Sequence, residues 1–300
     1  MIGNGAGVVD TAGVIPLGVE LTRVVTGATW SEGPVWLADR RVLRFSDIPG
    51  NRILEVDPSV GELIVHRTDV EFTNGRTLDR DGRVIQCSHG RRAVEREVDG
   101  ELETLVDSFD GRRLNSPNDV IVASDGAIWF TDPPYGIIQA QEGRPGEPEY
   151  GANYVFWFDP ATAALHPAII DMDEPNGLAF SPDESILYVA DSAAVLRGGV
   201  GNHHVAAYDI HHGVASNGRV FAEITPGVPD GLRVDVEGRL WISSSDSLQV
   251  FEPTGERVAQ IFVPEPVGNL CFGGPDGSTL FIAASTSIFS IPTLTRGAAS

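Results

Sequence analysis

The stretch Asn118-Asp119-Val120-Ile121-Val122-Ala123-Ser124-Asp125-Gly126-Ala127-Ile128-Trp129-Phe130-Thr131 reads as one β-hairpin. Asp119 to Ala123 forms a strand, Ser124-Asp125-Gly126 supplies a tight turn, and Ala127 to Thr131 returns beside the first strand. The same grammar occurs six times in the chain. A polar residue stands before each first strand, and an acidic residue follows it in the turn, giving the pairs Glu32/Asp39, Asn74/Asp81, Asn118/Asp125, Asn176/Asp183, Asp230/Glu237 and Asn269/Asp276. A large apolar side chain then marks each second strand: Leu43, Ile85, Trp129, Leu187, Trp241 and Leu280.

Third strands follow most hairpins and end in acidic or proline turns, as in Arg52–Val56 before Asp57-Pro58 and Tyr154–Phe158 before Asp159-Pro160. A more polar fourth strand, such as Glu62–His66 or Arg219–Ala222, closes the unit. Six units of four antiparallel strands predict an all-β, six-bladed β-propeller. The last unit ends soon after Ser287–Ile291, so Val19 to Val25 is expected to supply its outer strand and close the ring. This reading divides the chain into an N-terminal extension (1–18), a propeller (19–292) and a C-terminal tail (293–300).

Composition narrows the function. A hydrophobic content of 42% in 300 residues supports a large core, and a formal charge of −21 disfavours nucleic acid or an anionic membrane as partner. All 21 basic residues are arginine, which excludes Schiff-base and P-loop lysine chemistry. Cys87 and Cys271 lie in apolar strand-like runs and read as buried free thiols. No apolar run is long enough to span a bilayer, and the first residues lack the basic start and long apolar core of a secretory leader, so a cytoplasmic location is expected. His203-His204 and His211-His212 are sequence neighbours whose side chains point to opposite faces of a strand, so neither pair chelates one ion. Ser244-Ser245-Asp246 lacks the glycine-flanked elbow of a serine hydrolase.

In a propeller the first strand of each blade lines the central channel, so the six leading polar residues should converge at one mouth. Residues following each second strand lie on the same face: Asp47, His89, Asp132 to Asn153, Asp191 to Asn202, and Ser244 to Asp246. The Asp132–Asn153 segment is too long for a hairpin turn and is expected to form a lid. Two carboxylates and several amides gathered without a lysine are the oxygen ligands of one hard divalent cation, Ca²⁺ first, with Mg²⁺, Mn²⁺ or Zn²⁺ as alternatives. The expected ligands are Glu32, Asn118, Asn176 and Asp230. Asn74 and Asn269 are read as backbone-satisfying or substrate-contacting residues.

Trp30-Ser31-Glu32-Gly33-Pro34-Val35-Trp36, Arg113-Leu114-Asn115-Ser116-Pro117-Asn118-Asp119-Val120, Thr131-Asp132-Pro133-Pro134-Tyr135-Gly136, Pro175-Asn176-Gly177-Leu178-Ala179-Phe180-Ser181-Pro182-Asp183-Glu184 and Val228-Pro229-Asp230-Gly231 resemble the senescence-marker-protein/gluconolactonase/luciferin-regenerating-enzyme family, nearest its bacterial gluconolactonase-like branch. The resemblance implies a six-bladed propeller with one catalytic divalent cation on its axis that hydrolyses a small lactone. It places ligands at Glu32, Asn176 and Asp230, with Asn118 binding metal, water or substrate. Asp230 is the expected general base and Asp119 the second choice. Where the vertebrate branch has a sugar-contacting arginine this chain has Ser116, and Arg113 and Asn115 are the residues expected to take over. Together with Asn74, His89 and Tyr135 they complete the expected substrate contacts. A phosphotriesterase-type hydrolase and a non-catalytic binding propeller with a structural cation stay open as alternatives, as does the oligomeric state.

Overall fold

A computed structural model describes residues 3, 4 and 7–298. Six antiparallel sheets are arranged as the blades of a propeller. Blade one consists of Ser31–Leu37, Val42–Asp47, Arg52–Val56 and Leu63–Thr68, in spatial order from channel to rim. Blade three is built from Val120–Val122, Ile128–Asp132, Tyr154–Asp159 and Ala164–Ile169, and blade four from Pro175–Phe180, Ile186–Asp191, His204–His211 and Val214–Glu223. In blade six, Val267–Gly273, Thr279–Ala284 and Ser287–Pro292 are completed by Thr22–Thr26, which pairs antiparallel with Ser287–Pro292. The ring is therefore closed by an N-terminal strand, as the short last repeat demanded.

The repeat residues explain why the hairpins form. Leu43, Ile85, Trp129, Leu187, Trp241 and Leu280 are each at most 1% exposed. Each fills the layer between two blades, a burial of roughly 1.5–3 kcal/mol apiece. The acidic turn residue has a separate task. Asp125, Asp183 and Asp276 each accept the backbone N–H two residues ahead, which locks the hairpin turn.

Residues ahead of the closing strand also join the propeller. Val8–Asp10 pairs with the Arg257–Phe262 strand of blade five and widens that sheet beyond four strands. The Asp10 carboxylate then accepts the N–H groups of Ala12, Gly13 and Ile15, turning the chain away from the sheet edge. Both cysteines are free and buried. The four-residue segment Tyr135–Ile138 is helical, and among the described residues no helix is long and apolar enough to cross a membrane.

Candidate active site

The inner strands begin at one mouth of the channel, and a local irregularity there turns the leading side chains inward. The pairing register shifts between Glu32 and Val35, Thr73 and Arg76, Pro175 and Leu178, and Val267 and Asn269. Bulges of this kind re-aim a side chain and bring neighbouring backbones close. In blades three and five the ladder starts only at Val120 and Leu232, two residues after the ring residue. Neighbouring blades are stitched together at this level: Gly75 N–H donates to Asn118 O at 2.8 Å and Gly177 N–H to Asp230 O at 3.1 Å. A Cβ on Gly177 would lie 2.3 Å from that oxygen, so glycine is required by the close approach.

Above the ring lies a cavity of about 610 Å³, lined among others by Glu32, Asn74, Asn118, Asn176 and Asp230. Trp30, Tyr135, Gln139, Glu142, Val195 and Ser245 form its walls and roof. The Asp132–Asn153 segment thus contributes Tyr135, Gln139 and Glu142, as expected of a lid. Among the described residues no basic one lines the cavity.

Each ring side chain is oriented by a specific partner. Asn176 Nδ2 donates to Ser192 Oγ at 3.1 Å, and Ser192 Oγ donates to Pro229 O at 2.5 Å. This commits the Asn176 nitrogen and leaves its carbonyl oxygen free for the cavity. Asn74 Nδ2 bonds to His89 Nε2 at 3.2 Å, and His89 Nδ1 donates to the lid carbonyl of Glu142 at 2.8 Å. The second contact sets the tautomer, with the proton on Nδ1 and Nε2 accepting. Burial pushes the His89 pKa down to about 4, so the ring is neutral. Asn269 Oδ1 accepts Leu270 N–H at 2.8 Å, and its side chain also hydrogen-bonds to Glu32.

The two ring acids disfavour joint ionisation. Burial pushes Glu32 up to about 8, although the Gly33 N–H, the Asn269 amide and the Trp30 indole all favour its charged form. Asp230 lies well above the usual carboxylate range because of burial, then the nearby charges of Glu32, Glu142 and Asp119. Burial also raises Glu142 to about 7. Among the described residues no group of three or more His, Cys, Asp or Glu forms a metal cluster. The donor set here is different: two carboxylates and amide oxygens. Such a set fits a hard divalent cation, which would offset the burial and the mutual repulsion that keep these acids protonated.

Not every expected site residue reaches the cavity. His89 is fully buried behind Asn74 and acts on the cavity only through it and the lid. Asp119 lies beneath the ring, where Oδ1 accepts Val120 N–H and Oδ2 is 3.5 Å from Arg233 Nη1. Asn115 is buried at the base of the lid, donating to Asp132 O and Ala152 O. Arg113 is exposed and donates to Arg91 O. Ser116 has a local task, with Oγ donating to Pro133 O and accepting Gly136 N–H, so it pins the start of the lid.

Other residues of the site carry no marker in the repeat. Trp30 is a cavity residue rather than a core one, and its indole donates to Glu32 Oε1 at 3.3 Å. Glu142 sits in a lid whose sequence has no repeat to place it. Ser192 follows a second strand, and that position on the rim was its only signal.

The comparisons with known proteins agree with this architecture. Residues 30–286 match the family described as the SMP-30/Gluconolactonase/LRE-like region. A gluconolactonase from Zymomonas mobilis is 31% identical, with the match covering 95% of this chain and 84% of the relative. A solved gluconolactonase from Xanthomonas campestris superposes with a TM-score of 0.88 at 38% identity, covering 96% of this chain and 95% of that one. A calcium-binding protein from Agrobacterium tumefaciens, regucalcin, shares the fold with a TM-score of 0.76 at 18% identity, covering 95% and 97%. A match that begins at the indole beside Glu32 and runs into the closing blade takes in every residue of the polar ring. The chain belongs to the SMP-30/gluconolactonase/LRE-like family.

Proposed function

We propose that the protein is a lactonase that opens a sugar lactone of the gluconolactone kind, or a similar small cyclic ester, with the help of one divalent cation. The observation that carries this reading is the pairing of Glu32 and Asp230 in a cavity that, among the described residues, has no basic lining, beside the Asn118 and Asn176 amide oxygens, on which no described residue donates. Glu32, Asn118, Asn176 and Asp230 would hold the ion, Ca²⁺ first. The gluconolactonase relatives support the reaction class, and the calcium-binding name of the Agrobacterium regucalcin supports the choice of ion.

When bound, the cation supplies Lewis-acid polarisation of the ester carbonyl and stabilises the charge that develops on its oxygen. The chain's own groups do the rest. Asp230 is partly open to the cavity and, once ionised, is the carboxylate placed to take a proton from the attacking water. We assign it as general base over Asp119, which faces Arg233 below the ring. Asn74 offers its carbonyl oxygen to a substrate hydroxyl, because His89 engages its nitrogen. Tyr135 and Trp30 supply flat walls against which a sugar ring packs.

Water adds to the carbonyl carbon, the ring C–O bond breaks, and a hydroxy acid leaves as carboxylate plus one proton. Acid release from weakly buffered gluconolactone therefore reports turnover. Release that stops with chelator and returns with Ca²⁺ is expected. A broad lactone panel with no chelator-sensitive release would favour a binding propeller instead.

A further inference from the structure

Above its floor of Glu32, Asn176 and Asp230, the reaction cavity has two chemically different sides. One carries polar side chains: Asn74 and Asn118 on blades two and three, with Gln139 and Glu142 from the lid. The other is supplied by Ile48, Val195, Val228, Pro266 and Val267. Chain order explains the division. Ile48 follows the Val42–Asp47 strand of blade one, Val195 lies in the loop after Ile186–Asp191 of blade four, Val228 stands two residues before Asp230 of blade five, and Pro266-Val267 opens blade six. These four blades are consecutive around the ring. Gly177 N–H donates to Asp230 O, Gly231 N–H donates to Gly268 O at 2.7 Å, and Gly268 packs against the Glu32 carboxylate.

The apolar side chains therefore share one arc of the mouth. Ser245, which is exposed, brings the one polar side chain that the described residues add to that arc above the floor, and Ala194, Gly198, Gly199 and Gly227 add none. A hydroxyl turned toward Ile48, Val228 and Val267 would give up its water for no side-chain partner, whereas an alkyl group there removes apolar surface from water on both partners. Val195 is 51% exposed although it lines the cavity, which leaves apolar surface at the mouth for a ligand to cover. Size points the same way: at about 610 Å³ the cavity falls in the range of about 300–1,000 Å³ that holds drug-sized ligands, so a bare six-membered ring would leave much of it to water.

We propose, resting on the lactonase reading of the same site, that the preferred substrate is an uncharged lactone whose ring carries an apolar arm. The ester group sits over the floor, ring hydroxyls face Asn74 and Asn118, and the arm runs along Ile48, Val195, Val228 and Val267. A charged arm fits poorly, because the acids Glu32, Glu142 and Asp230 line the cavity and among the described residues no basic one does.

The test is kcat/KM, in Ca²⁺ and with chelator, for δ-hexalactone, δ-octalactone and δ-decalactone, which share one ring and differ only in alkyl length. Each rate is divided by that of spontaneous hydrolysis. The corrected value is expected to rise by about two- to fourfold per added methylene, the upper figure being full burial. A δ-lactone whose arm ends in a carboxylate should lose this gain. Val195→Ser and Val228→Thr place hydroxyls on the apolar arc and should flatten the rise, read as the ratio of decalactone to hexalactone within each variant, while Val195→Ile keeps it. Val195 is exposed in a loop, so its variants decide if Val228→Thr does not fold. Turnover that chelator stops but that is equal along the series, or a rise that survives in Val195→Ser, overturns the proposal and leaves the lactonase reading standing. No chelator-sensitive release from any member overturns both.

Discussion

Asn176 Nδ2 and Ser192 Oγ lie 3.1 Å apart, and this bond decides which end of the Asn176 amide faces the cavity. Ser192 has no other donor to spare, because its own hydroxyl proton goes to Pro229 O. A side chain that orients a ligand typically changes metal affinity 10–100-fold when removed. Ser192→Ala is therefore expected to weaken Ca²⁺ binding by about that factor and leave the circular-dichroism spectrum unchanged. Calorimetric titration of the variant checks it, and unchanged affinity would remove Ser192 from the site.

Asp230→Asn separates catalysis from folding. The isosteric amide keeps the backbone contact that Asp230 O makes with Gly177 N–H but cannot accept a proton from water. Loss of a general base costs about 10²–10⁴ in rate. Turnover is expected to fall by at least that much at full substrate, with the Tm of the metal-free variant close to that of the metal-free parent because a neutral amide replaces a buried acid that holds its proton. Retained turnover would take Asp230 out of the mechanism.

His89 gives the fold an acid-sensitive hinge between ring and lid. Its folded pKa of about 4 lies below the ordinary imidazole value of 6.5. Between these values the unfolded chain binds the proton and the folded chain does not. Stability from this residue is therefore complete above about pH 6.5 and is lost as pH falls through about 4, a difference of about 3 kcal/mol. His89→Gln should flatten this limb of the stability curve while costing stability at pH 8. Denaturant midpoints for both proteins from pH 8 to 4 measure the difference. Parallel curves would contradict the neutral, buried imidazole.

Gly177 tests the stitching of the ring. An added methyl would meet Asp230 O at 2.3 Å and the Gly231 Cα at 2.9 Å, both backbone atoms that cannot swing away. Gly177→Ala is expected to destabilise by about 1–3 kcal/mol and to disturb Asn176 and Asp230 together. A loss of stability without loss of cation affinity would mean that the ring tolerates the shift.

Much of this was legible in the residues because each repeat carried its own physical marker. Leu43 through Leu280 announced the buried second strands, and the acids at Asp125, Asp183 and Asp276 announced the turns that they close. Blade number and ring closure followed, and so did the face on which the polar residues gather. What escaped was direction within the mouth. Asp119 is adjacent to Asn118 in sequence, yet the alternation along the chain sends it beneath the ring to Arg233. Arg113 and Asn115 precede the strand by several residues, and there a lid of irregular backbone, not strand periodicity, decides who faces the cavity. Glu142 belongs to that lid and could not be placed from spacing at all.

The central claim is that Glu32 and Asp230 share one divalent cation, and calorimetric titration of Ca²⁺ into chelator-stripped protein at pH 7 tests it most directly. Burial holds a proton on Glu32, whose pKa is about 8, and a second on Asp230, so an incoming cation must displace protons. The account predicts one ion per chain, proton release seen as a heat that depends on the buffer's ionisation enthalpy, and loss of binding in both Glu32→Gln and Asp230→Asn. Absence of binding, or binding that neither substitution weakens, would contradict it.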